Sequence, residues 1–176
     1  MMKMSNVHEN VVSTPSLLAV DAGFRCGLAL FDLTSGTLRW FRSHNFGSSP
    51  RLRRASASLI GEIPDLVACV IEGGGNIADP WIKALTFRRI EYAQISAERW
   101  RPEMLLSRQQ RSGHDAKKAA VTGAKQRIAH AVDKRSKSIT DDTAEAIMIG
   151  EWALLHREEL FPLLYSMKGT SHDESA

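Results

Sequence analysis

The chain has 176 residues, enough for one domain with an ordinary core and too few for two large ones. At 43% hydrophobic and 24% charged it has the composition of a globular protein, and no apolar run approaches the roughly 20 residues of a membrane helix. The N-terminus, MMKMSNVHENVVSTPS, has no apolar stretch of signal-peptide length, so a cytoplasmic or organellar protein is expected rather than a secreted one.

In chain order, residues 1–16 are polar and irregular and are expected to form a flexible tail. Leu17 to Val20 is a short apolar run ending at Asp21-Ala22-Gly23, and Cys26 to Asp32 is a second. Thr34-Ser35-Gly36 marks a turn, after which Thr37 to Ser43 alternates like a half-exposed strand. Turns this short predict an antiparallel meander. Pro50 suits a helix start, and Leu52, Ala55, Leu59 and Ile63 follow at helical spacing. Leu66 to Ile71 is continuously apolar and reads as a strand covered on both faces, ending at Glu72 and three glycines.

Asp79 to Arg89 is weakly helical, Glu91 to Ser96 suits a fifth strand, and Ala97 to Leu106 suits a short helix containing Pro102. Arg108 to Gly113 reads as a loop. Asp115, as N-cap, opens a helix to Val132, and Lys134 to Ser138 reads as a basic linker. Thr140 to Glu158 is the last long helix, and residues 166–176 form a polar tail. The order predicts an α/β domain over residues 17–165, a mixed five-stranded sheet (three antiparallel strands plus two parallel) with helices on both faces.

Cys26 and Cys69 lie in apolar runs without ligand spacing and read as small buried hydrophobes. The net charge is +3, but the segment from Arg99 to Lys137 carries eleven basic residues against three acids. A second group, Arg39, Arg42, Arg51, Arg53 and Arg54, contains no acid. Such blocks suit a polyanion, because each phosphate contact releases counterions.

Four carboxylates carry the chemistry. Glu72 sits at the mouth of a buried strand, and ligands gather at the carboxyl ends of strands in open α/β sheets. Asp21 ends the first strand, where aspartate is disfavoured unless it makes a turn or a site. Asp142 and Glu145 are three apart, hence on one helix face. Glu145, among Ala144, Ala146 and Ile147, lies close to the buried stripe, where a carboxylate needs a cation. Oxygen ligands without nitrogen or sulfur select Mg²⁺ or Mn²⁺. Two such ions about 3.5–4 Å apart hydrolyse phosphodiesters.

These segments resemble those of RuvC-like Holliday junction resolvases, nucleases of the ribonuclease-H-like superfamily. LLAVDAGFRCGLALFD resembles their first hairpin, VIEGGG their fourth strand, and DDTAEAIMIGEWAL their last helix. AERWRPEMLL and GHDAKKAAV resemble segments of phage and organellar relatives. The resemblance implies a ribonuclease-H-like fold and a Mg²⁺-dependent homodimer that cuts branched DNA. It implies metal ligation by Asp21, Glu72, Asp142 and Glu145, with Asp141 an alternative to its neighbour. Lys118 or Lys117 would serve the scissile phosphate, and Lys117, Lys118, Arg101, Arg111 and Trp100 would contact DNA. Trp100 is alternatively core, and His114 is either a general base or a bystander. Glycines replace the bulkier residues that bacterial resolvases carry after the glutamate, which bears on junction specificity. Flap, fork and RNA–DNA hybrid cleavage, or binding without catalysis, are the alternatives. The Asp-x-Gly turn also occurs in sugar kinases and actin-like ATPases, but those folds need two such domains.

Overall fold

A computed structural model describes residues 14–105, 112–128 and 139–166. Strands β1 (Ser16–Asp21), β2 (Arg25–Asp32), β3 (Leu38–Asn45), β4 (Leu66–Glu72) and β5 (Glu91–Ile95) form one sheet, ordered β3-β2-β1-β4-β5. β1 to β3 pair antiparallel, and β4 runs parallel to both β1 and β5. The expected meander extended by two parallel strands is therefore the observed sheet.

Helices α1 (Ser49–Gly61) and α2 (Gly75–Phe87) cover one face, and α3 (Ala97–Met104), α4 (Gly113–Ile128) and α5 (Asp141–Leu155) cover the other. Two short helices, α6 (Arg157–Leu160) and α7 (Pro162–Ser166), follow. Strand alternation splits the core accordingly. Leu18, Val20, Cys69 and Ile71 pack toward α1 and α2 with Leu52, Ile60 and Trp81. Leu17, Ala19, Ala68 and Val70 pack toward α4 and α5. Cys26 and Cys69 are both fully buried. Among the described residues no helix is long and apolar enough to cross a membrane.

α5 is the central helix of its layer, with every residue from Thr143 to Gly150 buried. It is apolar nearly all round because β1 and β2 lie beneath it and α4 beside it. Ala116, Ala120 and Ala124 form the buried stripe of α4, and such short side chains let the two helices approach closely. The close approach to β2 depends on Gly27, where an added Cβ would stand 1.8 Å from the Asp142 carbonyl oxygen. Gly27→Ala is expected to cost about 3 kcal/mol or more, because backbone rather than a flexible side chain blocks the space. A lowered urea midpoint is the check, and an unchanged midpoint would contradict this packing.

Three helix ends depart from expectation in ways that matter to the packing. α2 opens at Gly75 rather than Asp79, with Gly74 as N-cap and Pro80 inside the helix. α4 is capped by Ser112 rather than Asp115: the Asp115 N–H donates to Ser112 Oγ, which in turn donates to the Asp115 carboxylate at 2.8 Å. The last helix stops at Leu155 instead of reaching Glu158. The break at His156 turns Leu160 and Phe161 back into the core, burying apolar surface that a straight helix would leave in water. Loop and linker expectations at 106–111 and 129–138, like those for 1–13 and 167–176, lie outside the described residues.

Candidate active site

Asp21 and Glu72 are register partners on the adjacent parallel strands β1 and β4. They share the parity of Ala19 and Val70, so both face α4 and α5. Gly73 permits this strand end: its φ is 123°, and an added Cβ would meet Ala22 Cβ at 3.2 Å.

From above, α5 supplies the other two acids. Thr140 caps the helix, accepting from the Thr143 N–H while Thr143 Oγ1 accepts from the Thr140 N–H. That cap fixes the helix phase. Asp141 points outward and is exposed, whereas Asp142 is half-buried and Glu145, at 5% exposure, lies within the core layer.

The charges of the four act on one another at Asp21. The Asp21 carboxyl is pushed up to about 8, chiefly by burial and then by the charges of Glu145, Glu72 and Asp142, with Lys117 opposing. Burial also raises Glu72, against its hydrogen bond from Trp100 and the charge of Arg101. Asp142 is raised by burial against Arg25 and Lys117.

The cations differ from expectation in several places. Trp100 is fully buried and offers no face for a base to stack on; its indole Nε1 donates to Glu72 Oε2 at 2.9 Å. Arg101 turns inward, donating from Nη2 to Glu145 Oε1 at 2.8 Å. The lysine whose field reaches Asp21 and Asp142 is Lys117. Lys118, expected to serve there, is exposed and lies about 100° further round the helix. Arg111 lies outside the described residues. His114 is exposed beside Asp115.

Arg25, 3.9 Å from Asp142, went unremarked in the sequence. The hairpin register was the available signal, since pairing Asp21 with Gly27 puts the first residue of β2 at the same sheet end. Phe24, in the connecting turn, is 42% exposed.

The basic blocks are partly spent on the fold. Arg99 pairs with Glu159 and Arg127 with Glu151, acids that lie outside the block in sequence. Arg39 pairs with Asp32 and Asp65, and Arg42 lies over the Trp40 ring. Arg51, Arg53 and Arg54 are exposed on α1, as are Lys117, Lys118 and Lys125 on α4.

Among the described residues no three His, Cys, Asp or Glu side chains are drawn tightly enough to hold an ion as they stand. The donor chemistry nonetheless fits Mg²⁺ or Mn²⁺: four carboxylates converge without nitrogen or sulfur ligands, and their mutual repulsion at Asp21 is what a divalent cation relieves.

The sequence matches no family model and none of the curated proteins. Solved structures are similar in fold. RuvC of Thermus thermophilus in complex with its Holliday junction substrate superposes with a TM-score of 0.60 at 8% identity, over 82% of this chain and 96% of that one. The fold is RuvC-like. A second Thermus thermophilus RuvC structure gives a TM-score of 0.57 at 10% identity, over 82% of this chain and 97% of its own. At such identity the likeness to RuvC concerns the fold.

Proposed function

We propose that this chain is a divalent-metal-dependent endonuclease for branched DNA, acting as a Holliday junction resolvase. The observation that carries the reading is the convergence of Asp21, Glu72, Asp142 and Glu145 at one end of a RuvC-like sheet. These four would hold Mg²⁺ or Mn²⁺, as one or two ions; when bound, the metal supplies Lewis-acid polarisation of the phosphate and a lowered pKa for the attacking water.

The protein's own groups do the rest. Burial of Glu145 keeps competing water from its carboxylate. Trp100 holds Glu72 in one orientation, which leaves its second oxygen for the cation. Lys117 and Arg25 set positive charge on the open side, where a phosphate would approach. Exposed Lys118 and Lys125 add charge along α4 for a duplex arm, and Arg51, Arg53 and Arg54 form a separate basic group on α1. Phe24 stands at the mouth, where a base at the branch point would meet it.

A four-way junction offers two symmetric strands, so a two-fold dimer is expected, with Phe87, 88% exposed at the end of α2, as one of its contacts. The glycines at 73–75 leave the loop beside Glu72 without bulk to probe a branch point, which favours a broader range of branched substrates as the second reading.

The test is cleavage of a substrate panel with Mg²⁺: four-way junction, flap, fork, linear duplex and RNA–DNA hybrid. Fastest cutting of the four-way junction, with affinity falling steeply as salt rises, is the expected result. A preference for the hybrid would overturn the DNA assignment, and a preference for the flap or fork would overturn the resolvase assignment.

A further inference from the structure

Two consecutive residues of α3 reach into the carboxylate group. Trp100 donates to Glu72 Oε2 at 2.9 Å, and Arg101 donates to Glu145 Oε1 at 2.8 Å. Glu145 is all but inaccessible, so its charge is compensated from within the protein, and the Arg101 charge also favours ionised Glu72. The guanidinium lies beside the Trp100 ring, with Cζ 5.5 Å from the ring centroid. Its side chain is 29% exposed, so it has a way out toward solvent that Trp100 lacks.

We propose that Arg101 is a built-in counter-cation that occupies Glu145 in the ion-free protein, and that a divalent ion must displace it. The inference rests on the metal-site reading above. The second oxygen of Glu145 is left open, as that of Glu72 is, but the guanidinium at 2.8 Å already neutralises this carboxylate and its charge repels a divalent ion, which the neutral Trp100 indole does not. Trp100 plays the opposite part: its rigid, buried donor keeps Glu72 aimed whether or not an ion is present. Arg101 is thus a positioning residue that acts through Glu145, and it is released to solvent when the site loads.

Mn²⁺ titration followed by calorimetry and by thermal melting, without DNA, tests the exchange. Arg101→Gln removes the competitor: Mn²⁺ is expected to bind about tenfold tighter, while the ion-free protein melts lower because Glu145 has lost its partner. Arg101→Lys keeps a competing charge and is expected to stay near the wild-type affinity. In a Glu145→Gln background, Arg101→Gln is expected to leave Mn²⁺ affinity unchanged. An Arg101→Gln variant that is folded at the titration temperature and binds Mn²⁺ no tighter than the wild type overturns the exchange while leaving the metal site standing. Wild-type protein that binds no Mn²⁺ overturns both.

Discussion

Asp21→Asn is expected to stabilise the metal-free protein at pH 8 by roughly 3 kcal/mol, a rise of about 5–10 °C in melting temperature. The folded protein keeps the Asp21 proton up to about pH 8, because burial and the neighbouring Glu145, Glu72 and Asp142 disfavour its charge, whereas the unfolded chain releases it near 3.8. Between those values the native state binds more protons than the unfolded state. Stability therefore falls as pH rises through this window, by up to about 1.4 kcal/mol per unit. The wild type should lose stability from pH 4 to 8, and the Asn variant should lose less. Mg²⁺ should restore stability to the wild type at pH 8, since a bound cation relieves the same repulsion, and should do less for the variant. Parallel melting curves of the two proteins across that range would contradict a strained carboxylate at this position.

Glu72→Gln is expected to reduce Mg²⁺-dependent cleavage on the order of a thousandfold or more, while DNA binding in EDTA is retained. Glutamine keeps the size of the side chain and an oxygen able to accept from Trp100, so the fold around it should persist. What it lacks is the charge that holds a cation and orients the water. Binding should hold or strengthen, because one negative charge facing the phosphates is gone. Substantial cleavage by a folded Gln variant would remove Glu72 from the metal site.

Much of this arrangement is legible in the sequence. The apolar run Leu66–Ile71 ending in Glu72, and the short run ending in Asp21, state their own strand ends, and the tight turns state the meander. Glu145 could be placed near the core because its neighbours are small and apolar. What could not be read was which groups answer those charges. Arg101 and Glu145 are 44 residues apart, and their pairing depends on how α3 packs against α5. Trp100 reads equally as core or as a stacking platform until its N–H is seen on Glu72. The acids that neutralise Arg99 and Arg127 come from α6 and α5, so counting within the segment overstated its free charge. The choice between Lys117 and Lys118 was in fact recoverable, because the Ala116, Ala120 and Ala124 stripe sets the phase of α4. The Thr140–Thr143 cap likewise separates Asp142 from Asp141.

The most direct measurement is the mapping of cuts on a four-way junction labelled in turn on each strand, with Mg²⁺ and with EDTA. Paired cuts placed symmetrically about the branch point, present with Mg²⁺ and absent with EDTA, are the predicted result. A junction that is bound yet left intact in Mg²⁺ and in Mn²⁺ would contradict the assignment of these four carboxylates to phosphodiester cleavage.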